Sequence, residues 1–548
     1  MSPWLLLGLA CCAADPAAAG GSTEPGATAT TTTGGPVGGS SSGATGADGT
    51  AGGSTATEGG ETTGPPPTDG PRYGDVVQKS SHNSFQRAEA LVDQLGYHRV
   101  RSLELDLHVG KTFERSVDGN WFVYHTDIID DATSCRLLSD CLDETVAFAQ
   151  AVPEHEVITL WLDLKDDWSA GHLPADLDAM LDARLGAAVL SPVEVRARCP
   201  GASSLAAAVT DPACGWPSLA SLRGRVIVVL TGGTIEQPQA PLSTYVTAGT
   251  RAFVAPSITR PGSLRVPSPS IAIYNANASD TGAIAAAAEA GFVVRAWDAN
   301  TRSAWTPARE AGARHLATNA INLHQDPWTV THDGDGWPFS CVDGCAGAGP
   351  EPGALIGIRV DSGDIWGTAD AMVFAHHVQA RPGGQWSALV STPNSWVDPF
   401  AKGCLMARAG LDPDAAYFAV CRPADDEPLR TQLRAAAGEG STATEHDVVP
   451  PQTVAPSSAA WVRLEVDASG LCATGYGAWR RDSWVEIDSH CFEQPLTHQG
   501  LAASSHDDGM VKLLFLDPRH DGRTVSADAL TETAVGGAVG EVFDGPFP

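Results

Sequence analysis

The chain has 548 residues, with 34 Lys+Arg against 65 Asp+Glu, a formal charge of −31 and a pI near 4.7. That acidity excludes a protein built to grip nucleic acid or anionic lipid through clustered bases, and 43% hydrophobic residues exclude wholesale disorder. The length calls for more than one domain, because single cores rarely grow past about 250–300 residues.

Residues 1–12 contain a short apolar run, Trp4 to Cys12, too short to span a bilayer. It reads as an export signal, with Cys11 or Cys12 as the lipid-bearing residue of a bacterial lipoprotein, although no Lys or Arg precedes the run. Residues 13–70 are Gly, Ser, Thr, Ala and Pro with a few acids and no base. Such a segment cannot bury enough apolar surface to offset its ordering entropy and is expected to be a flexible tether. The expected location is therefore outside the cytoplasm, secreted or held at the cell surface. Ten further cysteines fall into neighbouring pairs, Cys135/Cys141, Cys199/Cys214, Cys341/Cys345, Cys404/Cys421 and Cys472/Cys491. Disulfides in an oxidising compartment are the simplest reading of that arrangement.

Residues 71–349 alternate apolar runs with helix-forming stretches such as Pro174–Leu190 and Gly282–Ala290. The predicted strands are Asp75–Ser80, Val100–Leu107, Trp121–His125, Val157–Leu164, Arg225–Leu230, Ala252–Pro256, Phe292–Trp297 and His315–Ala320, with Ile271–Tyr274 as an alternative sixth. About eight strands in about 280 residues fit a TIM-type (β/α)8 barrel. No glycine-rich phosphate loop follows the first strand to favour an open doubly wound sheet.

Polar residues interrupt these strands at their carboxyl ends, where the active sites of such barrels sit. The second strand reads Ser102-Leu103-Glu104-Leu105-Asp106-Leu107-His108. Glu104 and Asp106 are two apart and share one face, opposite the three leucines. Two neighbouring carboxylates inside a barrel repel each other and are costly to desolvate, and a bound cation is the simplest resolution. The ligands on offer, Asn83, Glu104, Asp106 and Asp163, are all oxygens, which select calcium or magnesium. Lysine is scarce, at Lys79, Lys111, Lys165, Lys402 and Lys512. Lys165 shares the alternation of Asp163, so it is aimed at the carboxylates and suited to a phosphate. His82 and His125 flank the cluster. A base, an acid and a cation are what cleavage of a phosphodiester by an internal hydroxyl requires. His108 is expected at the mouth in a supporting or solvated role, and His155 and His315 are expected to be structural.

His82-Asn83, Glu104-x-Asp106, His125, Thr133-Ser134-Cys135 with Asp140-Cys141-Leu142, and Asp163-x-Lys165, in that order, resemble the phosphatidylinositol-specific phospholipase C family, in its bacterial, secreted, calcium-dependent branch. The resemblance runs from about Val76 to Lys165 and extends towards Asn319. It implies Ca2+ held by Asn83, Glu104, Asp106 and Asp163, His82 as base or phosphorane stabiliser, and His125 as the acid for the diacylglycerol oxygen. It also implies Lys165 and Arg295 as contacts to the inositol or its phosphate. The implied reaction converts phosphatidylinositol at a membrane surface to inositol 1,2-cyclic phosphate and diacylglycerol. Asp163 departs from the family's usual Glu, which leaves its direct contact to the ion open. An Arg295–Asp298 ion pair is the structural alternative for that arginine.

A glycerophosphodiester phosphodiesterase also uses two histidines and Glu-x-Asp, but its first strand typically ends in His-Arg-Gly, where this chain has His82-Asn83-Ser84. A non-catalytic surface-binding protein is the third reading, opposed by the complete set of His82, Glu104, Asp106 and His125.

Residues 350–548 are expected to be β-rich. Cys404…Cys421 followed by Pro428-Leu429-x-x-Gln432 is echoed by Cys472…Cys491 followed by Pro495-Leu496-x-x-Gln499, which suggests two tandem disulfide-pinned modules. Trp479 and Trp484 are candidates for a carbohydrate or surface ligand, against core packing as the plainer role. No nucleic-acid partner is expected, and a monomer is the default.

Overall fold

The computed structural model describes residues 70–233, 241–264, 268–321, 339–341, 355–378, 383–392, 398–424, 428–446, 461–507 and 509–545. The export signal, the tether and the Cys341/Cys345 pair therefore lie outside the described residues or reach beyond them. The described residues belong to one compact unit.

Eight parallel strands build the first half: β1 (Val76–Ser81), β2 (Ser102–His108), β3 (Ile158–Leu164), β4 (Val226–Thr231), β5 (Phe253–Val254), β6 (Ile273–Asn277), β7 (Val293–Trp297) and β8 (His315–Thr318). Their order is β5-β4-β3-β2-β1-β8-β7-β6. A parallel bridge from Ser257 to Asn275 links the two ends, so the barrel is nearly closed. Val226 to Thr231 is buried at every position, as a strand covered on both faces must be. In β2 the leucines pack outward while Ser102, Glu104 and Asp106 point into the barrel.

One expected barrel strand is corrected. Trp121–His125 is not the third member; only Phe122–Val123 is extended, and it runs antiparallel to the end of β2, with Leu107 opposite Val123. The physical reason is the connection. A parallel strand needs a crossover, usually helical, and residues 109–120 contain no helix. Ala252–Pro256 and Ile271–Tyr274, treated as alternatives, both supply strands, which restores the count of eight. His125 consequently sits on a hairpin folded over the mouth of β2.

Below the site the barrel interior holds a polar layer. His315 bonds Tyr73 Oη at 3.0 Å and Ser102 Oγ at 3.0 Å. Burial, with Arg295 adding to it, pushes its pKa down to about 3, so it stays neutral in the folded chain. Its folded pKa lies below the unfolded value, so its neutral form contributes fully above about pH 6.5. That contribution is lost as pH falls, because the unfolded chain takes up the proton. Urea midpoints measured from pH 6.5 to 4 should fall more steeply for the wild type than for His315→Gln. Parallel slopes would show that His315 is not responsible.

The second half is two antiparallel sheets. β9 (Leu355–Val360), β11 (Gly384–Ser391), β16 (Trp461–Val466), β17 (Cys472–Ala478), β18 (Val485–Cys491), β20 (Val511–His520) and β22 (Gly540–Asp544) form one, in the order β18-β17-β16-β11-β20-β9-β22. β10 (Met372–Val378), β12 (Lys402–Arg408), β13 (Tyr417–Pro423), β14 (Leu429–Arg434), β15 (Thr442–His446), β19 (His498–Ser504) and β21 (Thr531–Val535) form the other, in the order β15-β14-β13-β12-β19-β10-β21. Ile356, Trp386, Val462 and Phe515 of the first sheet meet Leu405, Phe418 and Leu501 of the second in one shared core. Each sheet thus draws strands from both halves of the segment. The sequence echo marks two equivalent hairpins, Cys404–Cys421 in one sheet and Cys472–Cys491 in the other, within one interleaved body. Cys135–Cys141 and Cys199–Cys214 are also bonded.

The sandwich is locked to the barrel by a buried ion pair. Asp93, on the helix Leu91–Gly96, receives Arg422 from β13 in a two-pronged contact at 2.6 and 2.8 Å, together with Ser391 Oγ at 2.9 Å and the Thr392 amide at 3.1 Å. Both charges are essentially inaccessible, at 0% and 2% side-chain exposure.

Candidate active site

Every side chain of the expected cluster reaches the carboxyl end of the barrel. Asn83 follows β1 in the left-handed region at φ +47°, a conformation Asn tolerates better than most residues. This turns its backbone N–H onto Glu104 Oε2 at 3.0 Å. Asp106 Oδ2 accepts from His125 Nδ1 at 3.0 Å and from Lys165 Nζ at 3.2 Å. Lys165 Nζ also lies 2.5 Å from Asp163 Oδ2. Glu104, Asp106 and Asp163 can each present an oxygen within 4.8 Å of the others.

The electrostatics follow from crowding. Burial, then repulsion from Glu104 and Asp163, pushes the Asp106 carboxyl up to about 7 although Lys165 and His125 oppose the shift. Burial pushes Glu104 up as well, but Arg295, His82 and the Asn83 amide outweigh it and hold that carboxyl below its usual range. Burial pulls Lys165 down, and the adjacent Asp163 and Asp106 more than reverse this, raising it to about 12. The Oδ1 atoms of Asp106 and Asp163 are buried without a hydrogen-bond partner. Three carboxylates, one of them held towards its neutral form by its neighbours, and two oxygens without donors fit a hard divalent cation. With Asn83 at the edge of the cluster, the residues present suit calcium.

The two histidines differ. His82 Nδ1 lies 2.9 Å from Asn319 Oδ1. A proton on Nδ1 there leaves Nε2 as the acceptor, 4.0 Å from Glu104 Oε2. Burial lowers the His82 pKa, and Arg295 and Arg87 lower it further against the pull of Glu104 and Asn319, so the ring is neutral and able to take a proton. His125 is more open, at 41% side-chain exposure. Its Nδ1 is engaged by Asp106, which leaves Nε2 for a substrate.

Arg295 is not at the rim. It is 1% exposed, 2.5 Å from Glu104 Oε2, 3.2 Å from Asn275 Oδ1, and 5.1 Å above the Trp161 ring. The Arg295–Asp298 pair does not form; Asp298 Oδ1 accepts from Asn300 Nδ2 at 2.6 Å. His108 stacks on Tyr124 with ring centroids 3.8 Å apart, at the mouth. Two contributors were missed from the sequence. Asn319 directly follows β8, a polar residue just past a strand end, a signal shared with the other strands. Gly232, at φ +95°, leaves room for the Asp163 carboxylate; an added Cβ would lie 2.0 Å from Asp163 Oδ1. Gly232→Ala should therefore displace Asp163 and weaken calcium binding by tenfold or more in a calorimetric titration. Unchanged affinity would show that Asp163 does not contribute to the cation site.

Residues 118–326 match the family described as phosphoinositide phospholipase C, Ca2+-dependent. The match includes His125, Asp163, Lys165 and Arg295; His82, Asn83, Glu104 and Asp106 precede it. No curated protein matches the chain. Among solved structures, a calcium-dependent phosphoinositol-specific phospholipase C from a Pseudomonas species is 21% identical. That match covers 47% of this chain and 93% of that one at a TM-score of 0.40. A Ca2+-dependent phosphatidylinositol-specific phospholipase C from Streptomyces antibioticus is 21% identical over 46% and 96%, at 0.38. An Oleispira antarctica phosphodiesterase in complex with sn-glycerol-3-phosphate is 13% identical over 45% and 94%, at 0.29. Over residues 118–326 the barrel thus resembles the calcium-dependent phosphoinositide phospholipase C family.

Proposed function

We propose that the barrel whose residues 118–326 match the calcium-dependent phosphoinositide phospholipase C family cleaves phosphatidylinositol to inositol 1,2-cyclic phosphate and diacylglycerol. The observation that carries this reading is the placing of two unlike histidines around one oxygen cluster. His82 Nε2 accepts the proton of the inositol 2-hydroxyl as its oxygen attacks phosphorus. The bond from phosphorus to the diacylglycerol oxygen breaks, and His125 Nε2 delivers a proton to that oxygen. Asp106 orients His125 through its contact with Nδ1. Lys165 holds a phosphate oxygen. Arg295 acts through Glu104, fixing that carboxylate and keeping it ionised. A calcium ion held by Glu104, Asp106 and Asp163, with Asn83 alongside, would lower the pKa of the attacking hydroxyl and offset charge on the phosphate. Rates on phosphatidylinositol, glycerophosphoinositol and glycerophosphocholine, each with calcium, test the substrate class. Preference for the inositol lipid is expected; faster turnover of glycerophosphocholine would replace this reading with a glycerophosphodiester phosphodiesterase.

The rim beside the site supports a lipid-surface substrate. Phe113 is 98% exposed, Ile129 83% and Ile128 64%. Phe113 and Ile128 also hold φ of +67° and +71°, a strained region for bulky and β-branched side chains. Their loops are tied together by Lys111–Asp131 at 3.0 Å and by the Thr112 amide on Asp127 Oδ2 at 2.7 Å. Gln86 donates to Asp130 at 2.8 Å and anchors them to the loop after β1. A braced rim with apolar tips is suited to inserting into a bilayer surface. The surrounding acids provide no attraction to anionic lipid, so binding should vary little with salt. Each buried tip contributes about 1.5–3 kcal/mol. Phe113→Asp/Ile129→Asp should therefore lower binding to phosphatidylcholine vesicles more than tenfold, while cleavage of a monomeric short-chain phosphatidylinositol persists. Equal loss on both substrates would contradict a docking role.

A further inference from the structure

The outer face of the second sheet is not a solvated polar surface. Lys402, Arg430 and Gln432 stand there at 3%, 6% and 2% exposure. Arg430 lies directly opposite Cys421 of the Cys404–Cys421 cystine. Asp364, Trp366, Phe400 and His506, on neighbouring loops, line with them an open recess of about 260 Å3. Trp366 and Phe400 keep 42% and 39% exposure at its edge. Trp479 and Trp484, the aromatics singled out from the sequence, instead pack against the cores of the sandwich and the barrel.

The charges in the recess are matched. Lys402 Nζ is 2.8 Å from Asp364 Oδ1, His506 Nδ1 is 2.9 Å from Asp398 Oδ1, and Arg430 Nη2 is 3.5 Å from Glu445 Oε1. The His506 ring lies 5.1 Å from Phe400, and the Arg430 guanidinium lies 5.7 Å from the same ring, so the aromatic is held in place. A phosphate or carboxylate would have to compete with Asp364 for Lys402. A purely apolar ligand would cover Asp364, Lys402 and Gln432 without offering them hydrogen bonds, which is costly. A neutral ring with C–H faces and several hydroxyls avoids both difficulties. Its faces pack on Trp366 and Phe400, and its hydroxyls meet acceptors and donors already in position.

We propose that this recess binds one neutral hexose-type unit of a glycan, as an activity of the sandwich separate from the chemistry of the barrel. The proposal does not rest on the reaction assigned to His82 and His125, and its test reads binding alone.

The test is saturation-transfer NMR of the full chain against the methyl glycosides of glucose, galactose, mannose and N-acetylglucosamine. Transfer to at least one of them is expected. Trp366→Ala should weaken it about tenfold, the scale of one lost aromatic contact. Gln432→Ala should also weaken it, and thermal melts establish that both variants remain folded. No transfer to any glycoside would overturn the proposal, as would transfer undiminished in Trp366→Ala. Displacement of the bound glycoside by an equal concentration of inorganic phosphate would also overturn it, by identifying an anion site.

Discussion

His125→Ala should reduce turnover of phosphatidylinositol by about 10²–10⁴-fold, the range associated with losing a positioned general acid. The side chain is 41% exposed, and it contacts Asp106 and, at 3.5 Å, the Asn83 side-chain amide, so the barrel does not depend on it for packing. The substitution removes the proposed proton donor for the leaving oxygen and leaves Asp106 in contact with Lys165. Calcium affinity should therefore change little while the maximal rate collapses. A substrate with a leaving group that needs no proton should recover most of the lost rate. Initial rates at saturating calcium on both substrates measure this directly. A loss below tenfold on phosphatidylinositol, or an equal loss on the activated substrate, would remove His125 from the acid role.

Arg422→Ala should be the most destabilising single change at the joint between barrel and sandwich. Asp93 is fully buried, and Arg422 meets it through two nitrogens. Truncating one partner of such a pair leaves an uncompensated buried charge, which typically costs about 3–5 kcal/mol. Ser391 and the Thr392 amide would still donate to Asp93, but neither carries charge. Arg422→Lys should recover only part of the loss, because an ammonium cannot reproduce the forked contact. Urea unfolding followed by tryptophan fluorescence gives the midpoints. A change under about 1 kcal/mol in Arg422→Ala, below the range for a buried pair, would mean that the joint relaxes and admits water.

The candidate cluster was legible where it is local in sequence. Glu104 with Asp106, and Asp163 with Lys165, are two residues apart in strands. The period of two alone places each pair on one face, and the register sets Asp106 beside Asp163. Contacts made across the barrel were not legible. Arg295 reaches Glu104 from β7, and Asn319 reaches His82 from beyond β8, and no spacing rule connects such positions. Trp121–His125 misled because an apolar run bordered by turn residues is the same pattern in a hairpin arm as in a barrel strand. The absence of helical composition before it was the available sign of an antiparallel return. In the sandwich, the repeated Cys, Pro-Leu and Gln identified two hairpins, but strand order is set by long-range pairing. β19 therefore joins the sheet of the first hairpin rather than that of the second.

The most direct measurement is phosphorus NMR of the water-soluble products formed from phosphatidylinositol in mixed micelles, with calcium and with chelator. The expected result is release of inositol 1,2-cyclic phosphate that requires calcium and disappears in both His82→Ala and His125→Ala. Calcium-independent release, or full activity in either variant, would contradict the roles assigned to the oxygen cluster and its two histidines.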